Sequence, residues 1–435
     1  MGVRSWVRSW LGRRLLAKTG GQLDLSQLSA VPAQFQLPFL RTDTDPVPEL
    51  AARRDREPVT RLGKLLGLNI WMVSGYAEAR EVLGDRDGYS NDIRPYVGNR
   101  NTSDANDIGG LGFTDPPDHT RLRRILTPEF TRRRLQRLEP LIAATIERQL
   151  DQLEALGPVV DLVKDFAFPI PFTVICDLLG LPIEDREAFL ELGPARFDVT
   201  SGGMGALGAG AESRTFIIEA VRQQRENPGE GLIGQIIKDS GKDGRDEVTD
   251  LEIAGLADGV FTGGYETSVS MLALGSLVLM RSPEAIRMLV DEPDSVDQIV
   301  EEMLRYLTVV QIGFPRFART DHLLGGQQIK TGDPILVSLS GADRDPRQFA
   351  EHPEEFDPHR NPGQSHFAFG HGLHRCVGAE LARMELRAAF LALARRFPDL
   401  SLAVDPGELE FQQLSIVYGI KSLPARLTVD QPATV

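Results

Sequence analysis

A largely apolar stretch runs from Ile253 to Met280, and it opens on Thr249 with Glu252 three places later. That pair is a capping box, in which each side chain takes up a backbone N–H that the helix start leaves unpaired. The pattern predicts one helix of about 30 residues, some 45 Å long at ~1.5 Å per residue. Being apolar nearly all round, it should thread the core. Helical periodicity also covers Glu78–Leu83, His119–Leu156, Phe172–Leu192 and a stretch from Ala379 through Arg387 to Leu393. Strand signals are fewer: Asn69–Val73, Ile335–Ser338 and the region near the C-terminus. Residues 20–60 read as mostly irregular, Gly84–Gly112 as a Gly/Asn/Asp-rich loop, and the glycine-rich 201–210 as a mobile connection. The expected class is mainly α with a small β-rich part. There is no internal repeat, and no break in composition demands a second domain.

Composition changes this picture little. The chain has 435 residues, 41% hydrophobic and 25% charged, enough for a large core. A net charge of -14 argues against a general nucleic-acid binder, which needs a concentrated basic surface. Only Cys176 and Cys376 are present, which excludes a disulfide framework and fits a reducing cytoplasm. Cys176, among apolar neighbours, reads as an inert buried thiol. No apolar run reaches the length that spans a bilayer. Residues 1–20 stand apart, with Arg4, Arg8, Arg13, Arg14 and Lys18, no acid, and Trp6 and Trp10. At helical spacing Val3, Trp6, Val7, Trp10 and Leu11 share one side, so two readings stand: a frayed basic leader, or a helix lying on a membrane surface. A signal peptide is excluded, because no apolar stretch follows the charges.

The segment Phe367-Ala-Phe-Gly-His-Gly-Leu-His-Arg-Cys376-Val-Gly is the most informative. Gly370, Gly372 and Gly378 permit turns closed to other residues and let a planar group approach the main chain. A helical pattern starts just after Cys376, and a thiolate at a helix N-terminus is stabilised by unpaired N–H groups. Zinc is a poor fit, since no second cysteine or paired histidine lies at a suitable spacing. Nor is there a C-x-x-C-H for covalent haem. By itself the segment still admits a loop cysteine beside a tight turn.

F-x-F-G-x-G-x-H-x-C-x-G resembles the haem-binding loop of the cytochrome P-450 superfamily, and looks like its soluble bacterial members. The resemblance extends from roughly residue 40 to 430. It implies a triangular-prism fold, mainly α with a small β-rich subdomain, residues 21–435 forming one haem-thiolate monooxygenase domain behind the 1–20 leader. Cys376 would be the proximal ligand of a b-type haem, with Phe369 beside it. In Gly263-Gly264-Tyr265-Glu266-Thr267, similar to the family's oxygen-activation motif, Glu266 and Thr267 would relay protons and Gly263 would admit the macrocycle. The motif often has His where Tyr265 stands. Two glycines mid-helix cost roughly 1–2 kcal/mol against alanines, so something must compensate.

Glu302-Met-Leu-Arg305 matches the family's E-x-x-R pair, with Arg360 as the arginine that joins it. His119, Arg123, Arg316 and His374 match the positions that hold the haem propionates. Two carboxylates in an apolar cleft do need cationic partners. Arg121 and Arg124 point elsewhere on the same helix, either to dock an acidic electron carrier or simply to be solvated. Val260, Phe261, Gly264, Val309 and Ile312 are the expected pocket, with the region to Phe314 and the Tyr96–Leu111 loop. The 201–210 stretch is a candidate lid. His371 is a packing or surface residue.

The implied reaction puts one oxygen atom of O2 into a hydrophobic molecule: a fatty acid, steroid, terpenoid or polyketide. About 60 residues follow Cys376, too few for a flavin or iron–sulfur module, so a ferredoxin and ferredoxin reductase are expected to supply the electrons. The expected place is the cytoplasm, with residues 1–20 the candidate for weak membrane association. A peroxide-using or coupling haem-thiolate enzyme is the alternative within enzymology. A non-catalytic haem-binding sensor is the alternative of another class. Retention of Glu266–Thr267 favours oxygen activation over the first, and the second predicts a sixth ligand from the protein and no spectral response to apolar ligands.

Overall fold

The computed structural model describes residues 32–65, 67–92, 111–181, 216–242 and 247–427. Its longer helices are α1 (Pro48–Arg56), α2 (Tyr76–Gly84), α3 (Asp118–Leu126), α4 (Glu139–Leu156), α5 (Pro169–Leu179), α6 (Leu232–Asp239), α7 (Asp250–Arg281), α8 (Pro283–Asp291), α9 (Val296–Leu307) and α10 (Ala379–Arg396). The leader 1–20, the 201–210 stretch and residues 96–110 of the Tyr96–Leu111 loop lie outside the described residues.

The predicted long helix is α7, and its capping box forms in both directions. Thr249 N donates to Glu252 Oε2 at 2.9 Å, and Glu252 N to Thr249 Oγ1 at 3.3 Å. The helix packs against α5, α9 and α10, so its apolar surface faces helices on several sides. One hydrophobic cluster runs from Leu126 in α3 to Leu427 near the C-terminus and takes in most of α7. Cys176 is fully buried within it.

The main sheet has five strands: β1 (Val59–Leu65), β2 (Leu68–Val73), β3 (Tyr89–Ser90), β4 (Arg316–Ala318) and β5 (Pro334–Val337). Their spatial order is β1-β2-β5-β4-β3. Only β2 and β5 run parallel, with Ile335 opposite Trp71. Chain segments more than 200 residues apart thus meet in one sheet. It encloses a second apolar cluster with Tyr76, Val82, Phe349 and Phe367, and so packs behind the segment that leads to Cys376.

Three expectations about elements change. Residues 20–60 are not mostly irregular where described, because α1 starts with Pro48 at its first position and carries a Glu49–Arg53 pair one turn apart. Both are helix signals that the proline content obscured. The Gly84–Gly112 loop contains β3, which its composition does not announce. The helix at Phe172 starts earlier, at Pro169, and ends at Leu179, where Gly180 takes a left-handed φ of 80°. Residues 182–192 of the expected helix lie outside the described residues.

Candidate active site

Halfway along α7 the burial pattern breaks. Phe261 and Tyr265 are buried, yet Thr262 and Gly263 between them are exposed. The two glycines answer different needs. A Cβ on Gly264 would come within 2.6 Å of Ile175 Cδ1, so that glycine lets α5 and α7 close up. A Cβ on Gly263 would meet nothing within 4 Å among the described residues, so that position borders an opening there.

Next to this opening stand Glu266 and Thr267. Thr267 Oγ1 donates to the Gly263 carbonyl oxygen one turn back, at 2.8 Å. Burial, with no compensating charge, pushes the Glu266 carboxyl up to about 8. At neutral pH it therefore holds a proton. Tyr265 stacks on Phe261, centroids 5.5 Å apart, with Phe168 and Phe172 edge-on to it.

The cysteine loop is shaped by its own backbone. Gly370 and Gly372 have φ of 68° and 71°, a region open to glycine at little cost. At Gly372 a Cβ would also lie 2.4 Å from the Leu83 carbonyl oxygen, so α2 presses against the loop. Cys376 N donates to the Phe369 carbonyl oxygen at 2.9 Å, closing the loop. Cys376 is enclosed by protein mass and yet exposed. Both hold if its surface faces an internal opening. Burial raises its thiol pKa, opposed by the Gly378 amide and by the charges of Arg123, Arg375 and Arg383.

His119 and Arg123 on α3, Arg316 at the start of β4 and His374 in the loop come together. The two imidazole rings lie 4.3 Å apart. Burial first, and the Arg123 charge second, brings His119 down to about 4. Burial, then Arg316 and His119, brings His374 down to about 3. Burial lowers Arg316 to about 10. Both His119 ring nitrogens and His374 Nδ1 are buried without a hydrogen-bond partner among the described residues. Such orphaned groups are rare in native proteins, and the positive charges of Arg123 and Arg316 add to burial in keeping both imidazoles from taking up a proton. A group bearing two carboxylates would relieve both problems. With the Cys376 thiol beside Arg123 of this set and an unlined glycine on α7, the residues fit a planar macrocycle that carries two acids and binds a metal through sulfur.

Of the five expected pocket residues, Phe261, Val309 and Ile312 are buried. Phe261 stacks in the aromatic core, Val309 joins the main cluster, and Ile312 packs on Phe39. Val260 and Gly264 keep some surface.

Behind the loop, Arg305 donates twice to Glu302 at 2.7 Å, with both side chains fully buried. Arg360 Nε reaches the same carboxylate at 3.2 Å. The remaining Arg305 donors go to the Asp343, Pro353 and Glu355 carbonyls. Arg121, expected as a docking or solvated residue, instead donates to the capping carboxylate of Glu252, tying α3 to the start of α7. Arg124 is exposed. His371 lies against Phe367, centroids 6.1 Å apart, a packing residue of the loop. Sequence reading missed His366, Glu301 and Arg383, which form one cluster beside Phe369.

Comparison with known proteins agrees with this geometry. The cytochrome P450 family model matches residues 40–192 and 206–422. Cytochrome P450 165C4 of Amycolatopsis orientalis is 37% identical over 400 residues, covering 89% of this chain and 96% of that protein. Cytochrome P450 monooxygenase PikC of Streptomyces venezuelae is 36% identical, covering 92% and 95%. Among solved structures, OxyC, a P450 implicated in an oxidative C–C coupling reaction during vancomycin biosynthesis, superposes with a TM-score of 0.79 at 37% identity, covering 91% of this chain and 96% of that one. No single helix among the described residues is long and apolar enough to cross a membrane. The chain belongs to the cytochrome P450 family and is a haem-dependent monooxygenase.

Proposed function

We propose that the enzyme inserts one oxygen atom of O2 into a hydrophobic small molecule at a b-type haem ligated by Cys376. The observation that carries this reading is Glu266, a carboxyl held protonated up to about pH 8 beside an alcohol and an internal opening. Haem iron, when bound, supplies dioxygen activation, and a thiolate ligand favours cleavage of the O–O bond. Cleavage also needs protons delivered one at a time. Glu266 stores one on a carboxyl that desolvation keeps neutral. Thr267, its own proton engaged by the Gly263 carbonyl, keeps lone pairs to accept a hydrogen bond and orient the next donor. His119, Arg123, Arg316 and His374 are assigned to the two propionates, Gly263 to close approach of the ring, and Phe369 to its cysteine side. Glu302, Arg305 and Arg360 act structurally.

Residues 21–435 are read as a single domain, supported by the span of the family match and by a core cluster that runs from 126 to 427. Electrons are assigned to a ferredoxin with its reductase. Supporting this, Arg124, Arg132 and Arg133 are exposed on the segment that includes Phe130, and Phe130 lies against Gly378 of the cysteine loop. A basic surface suits an acidic carrier. The fatty acid, steroid, terpenoid and polyketide classes fit an apolar pocket around Val260. The cytoplasm is the assigned compartment, supported by two cysteines that form no disulfide, as a reducing environment would keep them.

The likeness to OxyC favours a second reaction at the same centre, oxidative coupling. The test has two stages. The reduced, carbon-monoxide-bound wild type should show a thiolate-type Soret band that Cys376→Ala lacks; its absence from wild type sinks the assignment. A substrate found by its low- to high-spin shift is then turned over under isotopically labelled dioxygen. Label in the product supports insertion. Loss of two hydrogens without label replaces insertion by coupling.

A further inference from the structure

Glu301 stands one residue before Glu302 but serves a different segment. Its carboxylate receives Arg383 through a fork, Nε on Oε1 and Nη2 on Oε2, the latter at 3.0 Å. It also receives His366 Nε2 at 2.9 Å. His366 Nδ1 in turn accepts the Ala368 amide at 3.3 Å. These two bonds require the neutral tautomer with its proton on Nε2. The Arg383 guanidinium then lies 4.6 Å from the centre of the Phe369 ring, a cation–π contact. Phe369 is the residue whose carbonyl takes the Cys376 amide proton. Burial alone would raise Glu301, but the bonds from His366 and Arg383 outweigh it and hold the carboxyl at about 2. Glu380 adds a second acid to Arg383 at 3.2 Å.

We infer that Glu301 is a positioning residue for the Cys376 loop, fixing Arg383 over Phe369 so that one guanidinium charge acts on the thiolate from a set place. Three elements converge on this point: α9 through Glu301, α10 through Arg383, and the chain before the loop through His366. Arg383 is one of three cations whose charge favours the thiolate, with Arg123 and Arg375. It alone of the three is buried and bound by a carboxylate fork. A charge so fixed cannot relax away, and it acts through protein of low dielectric. The cluster thus moderates how much electron density the sulfur passes on. The inference rests on the reading of Cys376 as the haem thiolate ligand.

The test compares Arg383→Met, which keeps the stem and removes the charge, with the near-isosteric Glu301→Gln, which removes the opposing charge and leaves Arg383. A positive charge favours the reduced, more negative centre. Arg383→Met should therefore move the ferric–ferrous equilibrium about tenfold towards ferric, ~59 mV for one electron. Glu301→Gln should move it a few-fold towards ferrous. A merely structural staple would lower the thermal midpoint of both variants without shifts of opposite sign. Shifts of equal sign, or none above twofold, overturn the inference where the wild type has its thiolate-type Soret band. If the wild type lacks that band, the assignment of Cys376 falls as well. Glu301→Gln decides the sign by itself if Arg383→Met does not retain haem.

Discussion

Thr267 gives its hydroxyl proton to the carbonyl oxygen of Gly263, 2.8 Å away and one turn back on the same helix. Bonds of this kind usually just bend a helix slightly. Here the accepting residue borders the opening and the next side chain is a protonated carboxyl, so the bond sets how an alcohol is presented there.

Thr267→Ala should therefore keep haem and the substrate-induced spin shift while product per electron pair falls about tenfold or more and peroxide rises, the scale of a lost proton-transfer group. Thr267→Ser should restore most of the coupling. Unchanged coupling in the alanine variant would remove Thr267 from the relay.

Glu266 makes the rate depend on pH in a definite direction. Its carboxyl, raised to about 8, is protonated below that value and ionises as pH rises through it. Turnover should fall on the alkaline side with a midpoint near pH 8. Glu266→Gln should be slower by roughly 100-fold and lose that limb. A variant with the full wild-type pH profile would assign the limb to another group.

Gly263 and Gly264 should respond oppositely to alanine. At Gly264 the new methyl meets Ile175 and should cost ~1–3 kcal/mol in urea unfolding, with Ile175→Val recovering part of it. At Gly263 the methyl meets nothing among the described residues, so the apoprotein should gain up to ~1 kcal/mol from helix propensity. The same variant should lose haem faster than wild type. Equal haem retention would mean that the ring lies away from Gly263.

Glu302→Ala strands Arg305 in the interior without its anion. The expected loss is about 3–5 kcal/mol, read as a lower urea midpoint. A loss under 1 kcal/mol would show that the three carbonyls around Arg305 suffice.

Glu385 on α10 is buried, and its Oε2 meets no partner among the described residues. Burial raises its pKa from 4.5 to about 8. Between these values the folded state binds more protons than the unfolded, so stability drops as pH rises through the window. The slope is at most about 1.4 kcal/mol per pH unit. Glu385→Gln should flatten it, and an equal slope in both proteins would refute the buried neutral carboxyl.

What the sequence disclosed follows from how far apart partners lie. The capping box at Thr249, the helix after Cys376 and the Glu302–Arg305 pair need neighbours within four places, and each was legible. The 2.6 Å approach to Ile175 that requires Gly264 comes from 89 residues upstream. Glu252 finds Arg121 across 131 residues, and Arg383 finds Glu301 across 82. Nothing local marks such partners. Phe261, expected at the pocket, stacks on Tyr265 four places on, a pairing that helical rotation of about 100° per residue allows.

The Glu302 carboxylate is reached by Arg305 from its own helix, and by Arg360 and the Asp357 amide more than 50 residues later. Arg305 is completed only by carbonyls at 343, 353 and 355. A half-assembled version would leave buried ions without partners, which costs more than exposing them. The segment between Asp343 and Arg360 is therefore held in place by the same buried charges that it satisfies. Because that segment leads straight into the cysteine loop, the buried charges behind it anchor the stretch of chain from which the sulfur is presented.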